Sequence, residues 1–142
     1  SMLEIFERIN SLMESSFESK GIKFSFRANP RHLKLTCDPD LIEQVLINLV
    51  VNSTNALTNT DNPEIILSGG IDTRSRPMIK IVDNGSGLSK DVIDKIFIPF
   101  FSTKSEGSGI GLSLSKQIVK AHGGAIGVQS KPGLETVFTI KF

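Results

Sequence analysis

Asp38-Pro39-Asp40-Leu41-Ile42-Glu43-Gln44-Val45-Leu46-Ile47-Asn48-Leu49-Val50-Val51-Asn52-Ser53-Thr54-Asn55-Ala56-Leu57 is the stretch from which the rest of the chain can be read. Asp38 can cap free backbone N–H groups, and Pro39 suits the first turn of a helix. Leu41, Ile42, Val45, Leu46, Leu49, Ser53, Ala56 and Leu57 recur at helical spacing as a core stripe. Ile47 and Val51 carry apolar character to the other flank, which predicts a helix covered on most sides. Gln44, Asn48, Asn52 and Asn55 nevertheless line one face at spacings of four, four and three. A buried amide without a partner costs about 1–3 kcal/mol. One or two such residues fit a polar edge against water or loop backbone. Four in register suit a polar ligand or a metal–water shell equally well, because side-chain carbonyl oxygens are hard ligands.

Upstream, Leu3, Phe6, Ile9, Leu12, Met13 and Phe17 predict a helix over 3–19, stopped at Lys20-Gly21. Ile22, Phe24, Phe26 and Ala28 alternate with polar residues as a half-buried strand. Leu33, Leu35 and Cys37 alternate again after Asn29-Pro30-Arg31, which predicts a hairpin partner. Downstream, 64–71 and 78–82 read as strands, with Gly69-Gly70 as a bulge or strand end. Ser89 can cap a short helix holding Val92, Ile93, Ile96 and Phe97. Residues 99–109 read as a loop or lid, and 109–122 as a helix stopped by Gly123-Gly124. Ile126 and Val128 make a strand, Lys131-Pro132-Gly133 a turn, and 136–142 a last strand. Short turns between strands predict an α/β fold with a mixed, mostly antiparallel sheet carrying helices on one face.

Two glycine-rich stretches follow the amide face. Asp83-Asn84-Gly85-Ser86-Gly87 sits at a strand end, where an aspartate can accept from an exocyclic amine and glycines let backbone approach a flat ring. Gly107-Ser108-Gly109-Ile110-Gly111-Leu112 opens a helix, where free N–H groups suit anionic phosphate oxygens. It lacks the Gly-Lys-Ser/Thr of a Walker loop, and it follows a lid rather than a strand. Either stretch alone reads equally as a tight turn or a hinge; together with the amide face they suggest a nucleotide. Lys104 and Lys116 could supply positive charge nearby, although Lys116 reads better as a solvated surface residue. Phe97-Ile98-Pro99-Phe100-Phe101 reads as a core plug, a lid anchor or a docking patch. His32 and His122 suit surface or capping positions.

Bulk composition narrows the alternatives. The 142 residues suffice for one domain with its own core, and 39% hydrophobic with 22% charged residues is a globular balance. Sixteen basic against 15 acidic residues give no whole-domain case for nucleic acid or a membrane surface. The single Cys37 excludes an internal disulfide and a cysteine-rich metal site, and reads as a small core residue. No apolar run approaches the ~20 residues that span a bilayer. The opening Ser1-Met2 reads as a cloning scar, which makes the sequence a segment of a longer protein.

In combination the motifs resemble the catalytic ATP-binding domain of sensor histidine kinases, within the superfamily that includes DNA gyrase, a heat-shock chaperone and mismatch-repair ATPases. Residues 44–52 are similar to that family's N box, 83–87 to its G1 box, 96–104 to its F box, 107–112 to its G2 box and 133–138 to its last glycine box. The resemblance implies the family's Bergerat-type ATP-binding fold, a two-layer α/β sandwich, over 20–142, with 1–19 as a helix continuing from an upstream dimerisation domain. It implies ATP and Mg2+ as ligands. Asn52 would coordinate the metal, and Asn48 would face the phosphates or the metal shell. Asp83 would take the adenine amine, and Gly85 and Gly87 would border the ring. Gly107, Gly109, Gly111 and Leu112 would hold the phosphates with Lys104 as charge partner, and Thr136 would act around the adenine through water. Ser53 stands where the family usually has alanine, Asn55 where a charge is common, and Glu135 where a second glycine is usual.

Hydrolysing relatives place a glutamate one turn before the metal asparagine. Here that position is Asn48, which cannot act as a general base. The implied activity is therefore a protein histidine kinase: transfer of the γ-phosphate to a histidine on a separate dimerisation domain, with a response regulator downstream and a cytoplasmic location. Neither His32-Leu33 nor His122-Gly123 resembles a phosphoacceptor. The alternatives are a nucleotide-binding interaction module without transfer, and a slow ATPase.

Overall fold

The computed structural model describes residues 1–101 and 111–142. In chain order its elements are α1 (Met2–Lys20), β1 (Lys23–Ala28), α2 (Pro39–Ala56), β2 (Glu64–Ile71), β3 (Pro77–Asp83), α3 (Lys90–Lys95), α4 (Gly111–Ala121), β4 (Ala125–Lys131) and β5 (Glu135–Lys141). The strands form one sheet in the order β1-β2-β3-β5-β4. The β1–β2 pair is parallel, with α2 as part of its crossover, and the other three pairs are antiparallel. The sheet is thus mixed and mostly antiparallel, as the short turns predicted.

Period-two alternation places one side chain of each strand on a shared rung of the helix-facing side. Two rungs are apolar throughout or nearly so: Phe26-Leu67-Ile81-Phe138-Val128 and Ala28-Gly69-Ile79-Ile140-Ile126. Against them pack the buried Met2, Phe6 and Ile9 of α1, Ile42, Val45, Leu46, Leu49 and Val50 of α2, and Ile118 and Val119 of α4. Gly69 is the gap through which α1 reaches the sheet. A Cβ there would collide with Met2 Sδ and come within 3.2 Å of Phe6 Cε2. The register runs unbroken through it, so the expected bulge is absent and close helix packing explains the glycine.

The third rung, Phe24-Ile65-Asp83-Thr136-Ser130, changes character half-way across the sheet. Phe24 stacks on Phe17 with ring centroids 4.5 Å apart, while Asp83 and Thr136 are polar yet buried. One end of an otherwise apolar sheet face is therefore polar.

The expected hairpin strand over 33–37 does not form. Leu33, Leu35 and Cys37 are half-buried against the core, but the segment joins no ladder; Leu33 O accepts instead from Met2 N at 3.0 Å. The expected covering of α2 is also incomplete. Leu41 and Val51 are 39% and 40% exposed, and Gln44 is exposed too.

Candidate functional site

Asp38 starts α2 as expected: its Oδ1 accepts from Asp40 N at 3.0 Å and Leu41 N at 3.3 Å, with Pro39 in the first turn. His122 closes the same corner. Its Nε2 accepts from Asp38 N at 3.1 Å, and its Nδ1 meets Ile118 O at 2.8 Å. The end of α4 is thereby tied to the start of α2, so the two helices sit side by side. Between α2, the β3–α3 loop and the first turn of α4 lies a cavity of about 900 Å3. That is within the roughly 300–1,000 Å3 of small-molecule sites.

Asn48, Asn52 and Asn55 line one wall of this cavity, with Val51 beside them; Gln44 does not. Asn48 Nδ2 donates to the buried Ser115 Oγ at 3.3 Å, which ties this wall to α4. Gly111 and Leu112 form part of the opposite side, next to Leu88, Val92, Ile96 and Phe101. Lys104, Gly107 and Gly109 lie outside the described residues. Phe97 makes an edge-on contact with Phe138 at 6.4 Å, and Lys116 Nζ lies 5.5 Å from the Phe97 ring centroid. Phe97 is thus the core plug, whereas Ile98 and Phe100 are exposed.

Asn84, Gly85, Ser86 and Gly87, the loop that leaves the polar rung, line the cavity, while Asp83 and Thr136 of the rung are buried behind that lining. Asp83 is 1% exposed, and its Oδ1 accepts from Gly85 N at 3.0 Å. Burial pushes its carboxyl above the ordinary 3.8, and the negative charge of Glu135 adds to the rise. The Gly85 N–H and the neighbouring Ser53 hydroxyl oppose it, although Ser53 Oγ lies outside hydrogen-bonding geometry. Gly85 is required by space: a Cβ would lie 2.7 Å from Ala56 O and 2.9 Å from Asp83 Oδ1. Gly87 is required twice over, by φ +77 and by Lys131 O, 2.7 Å from where a Cβ would sit. Gly133 N donates to Ser86 O, so the tip of the β4–β5 hairpin closes down on this loop.

Three contributors escaped the sequence reading. Asn84 anchors the loop, with Oδ1 accepting from Glu64 N at 2.8 Å and Nδ2 donating to Asn62 O at 2.9 Å. The carbonyl of Ala56 sets the clearance over Gly85, which no side-chain pattern reports. Ser130 joins hairpin to loop through bonds to Leu88 N at 2.7 Å, Glu135 O at 2.8 Å and Thr136 Oγ1 at 3.1 Å. Its one sequence signal was a polar residue in phase with Ile126 and Val128.

The polar side chains that line the cavity are neutral, asparagines with serines and threonines, and the asparagines bring amide oxygens. Among the described residues no group of three or more His, Cys, Asp or Glu could hold a metal. Such a set fits Mg2+ carried in on phosphate oxygens and completed by one or two protein ligands.

Known proteins share this chain's sequence pattern and fold. The family described as histidine kinase-, DNA gyrase B- and HSP90-like ATPase matches residues 37–142. The chain belongs to that family. As a histidine-kinase-type ATPase domain it is 37% identical, over 132 residues, to the sensor histidine kinase ZraS of Salmonella typhimurium, covering 92% of this chain but 28% of that relative. Its fold matches the catalytic domain of histidine kinase ThkA with a TM-score of 0.85 at 29% identity, covering 98% of this chain and 90% of that one. A structure of ThkA in complex with the response regulator protein TrrA matches at 0.80 and 27% identity, covering 99% of this chain and 40% of that one. No helix among the described residues is long and apolar enough to cross a membrane.

Proposed function

We propose that this ATPase domain binds Mg-ATP between α2 and the Asp83–Gly87 loop and presents the γ-phosphate to a histidine on a separate dimerisation domain, from which a response regulator is served. The observation that carries the reading is the meeting of two unlike walls around one cavity. The amide face of Asn48, Asn52 and Asn55 stands on one side, and the Asn84–Gly87 loop that leaves the buried Asp83 on the other.

Each wall suits one end of the nucleotide. Asp83 takes the exocyclic amine, and the Gly85 and Gly87 backbone borders the ring. Asn52 ligates Mg2+, and Asn48 Oδ1 faces its water shell or the phosphates. Gly111 and Leu112, with Gly107, Gly109 and Lys104, hold the phosphates. Thr136 acts beside the ring through water. The metal, when bound, would neutralise charge on the β- and γ-phosphates. The chain's own work is to orient and to shield, because asparagine at position 48 offers no base to activate water. On this reading residues 1–19 lead in from the dimerisation domain, and the domain works in the cytoplasm. The relation to ZraS and the ThkA–TrrA pairing support this assignment of partners.

Calorimetric titration with a non-hydrolysable ATP analogue, with and without Mg2+, tests the site. Saturable binding strengthened by Mg2+, followed by transfer from ATP to a supplied acceptor domain, is the expected result. No binding at millimolar analogue would remove the nucleotide reading. Binding with steady phosphate release and no transfer would replace the kinase by an ATPase.

A further inference from the structure

Proton counting on the polar rung assigns a direction to each of its hydrogen bonds. A serine hydroxyl has one hydrogen and two lone pairs. Ser130 must donate to Glu135 O at 2.8 Å, because a carbonyl can only accept. It must accept from Leu88 N at 2.7 Å, because an amide N–H can only donate. Its hydrogen is then used, so in the 3.1 Å contact with Thr136 Oγ1 the threonine is the donor. The Thr136 proton is turned toward Ser130, and only lone pairs remain for the other side.

Thr136 and Asp83 are register partners on adjacent strands, both facing the helices and both buried. Directly opposed side chains have Cβ atoms about 4.5–5.5 Å apart. The rung therefore carries two neighbouring acceptors, a carboxylate and a polarised hydroxyl, and Asp83 leads directly into the cavity-lining residues Asn84 and Gly85. A group with two hydrogens, an amine or a water, satisfies both. A ligand carbonyl there meets lone pairs from each side and leaves buried acceptors unpaired, which is the arrangement that gives strong discrimination.

We propose that Ser130 is a positioning residue for nucleobase selection: by taking the Thr136 proton it makes the Asp83–Thr136 rung acceptor-only and so favours 6-amino over 6-oxo purines. The proposal rests on the nucleotide reading above. Ser130 touches no ligand in this scheme. It acts through Thr136 while also holding the Leu88 amide in place.

Those two roles separate experimentally. Affinities for ATP and inosine triphosphate, whose ring carries an oxo group in place of the amine, are measured for the wild type, Ser130→Ala, Ser130→Thr, Thr136→Val and the Ser130→Ala/Thr136→Val double variant. The wild type is expected to prefer ATP. In Ser130→Ala the Thr136 hydroxyl is free to turn and donate, and the preference should fall by about tenfold. Ser130→Thr, which keeps a hydroxyl, should restore it. Thr136→Val should lower the preference by itself, and Ser130→Ala should change it no further in that background. A Ser130→Ala variant that weakens both nucleotides equally would overturn the proposal and leave Ser130 as a buttress of the loop. Should Ser130→Ala not fold, Thr136→Val decides alone, since an unchanged preference there also overturns it. A wild type that binds both nucleotides alike rejects the selection while keeping the site; one that binds neither rejects the nucleotide reading itself.

Discussion

Burial sets the carboxyl of Asp83 above 3.8, and the direction of that shift has opposite consequences for folding and for binding. An acid whose folded pKa is raised binds its proton more tightly in the folded state. Its contribution to stability is full below 3.8 and is lost as pH climbs through the raised value. Once ionised, Asp83 is thus a cost to the unliganded fold. Asp83→Asn keeps an oxygen for Gly85 N and removes the buried charge, so melting of the unliganded variant should occur at or above the wild-type temperature. Its affinity for adenine nucleotide should nevertheless drop by about 10–100-fold, the worth of a charge-assisted hydrogen bond. A variant that melts lower and binds unchanged would show Asp83 to be a structural residue. Because the amine needs the ionised form, wild-type affinity should weaken with acid at a pH above that of an ordinary aspartate. The non-titrating Asp83→Asn protein serves as the control for protonation of the nucleotide itself. Asn52→Ala tests the other wall: Mg2+ should lose about 10–100-fold of its enhancement of binding, with metal-free affinity nearly unchanged.

Elements were legible wherever a local signal stated both a period and a boundary. Asp38-Pro39 fixed the start of α2, Ser89 capped α3 through Val92 N at 3.3 Å, and Lys20-Gly21 ended α1 with Gly21 at φ 64. Leu33, Leu35 and Cys37 misled because period-two alternation reports one-sided burial, not pairing. The segment sets its apolar residues against the core, but β1 pairs only with β2, across α2 and some 35 residues of sequence, and as the outermost strand it has no partner on its other edge. The same blindness to distant partners hid Ala56 O and the Leu88–Ser130 bond, which join residues far apart in the chain. Glycines that look alike in the sequence are also sorted only by their neighbours. Gly127→Ala adds a Cβ into open space, whereas Gly87→Ala places one against Lys131 O at φ +77. Denaturant unfolding should find Gly127→Ala within about 1 kcal/mol of wild type, in either direction. Gly87→Ala should lose at least about 1–2 kcal/mol from the left-handed backbone alone, together with much of its nucleotide affinity. Equal stabilities would mean that the hairpin does not press on the Asp83–Gly87 loop.

At the scale of the molecule, the three inner rungs divide the labour of the sheet. Two carry the apolar contacts that hold α1, α2 and α4, and the third trades part of that core for Asp83, Thr136 and Ser130. The wall opposite, on α2, likewise leaves Val51 open beside Asn48, Asn52 and Asn55. Both are local costs to the unliganded fold, the asparagines in the cavity wall and the rung next to the Asn84–Gly87 lining, and a ligand that satisfies both should return them as stability. A ligand that binds only the folded state at a hundred times its dissociation constant adds about 2.7 kcal/mol. For a domain of 142 residues that corresponds to a rise in Tm of roughly 8–10 °C. Thermal melting with saturating Mg2+ and a non-hydrolysable ATP analogue should show a rise of this size for wild type. It should also show a much smaller one for Asp83→Asn and, in the presence of Mg2+, for Asn52→Ala. A full shift in Asp83→Asn alone would place the nucleotide on the asparagine wall without its base in the polar rung. Absence of any shift in wild type, with the fold intact, would mean that the half-buried amides and the buried aspartate answer to some other ligand.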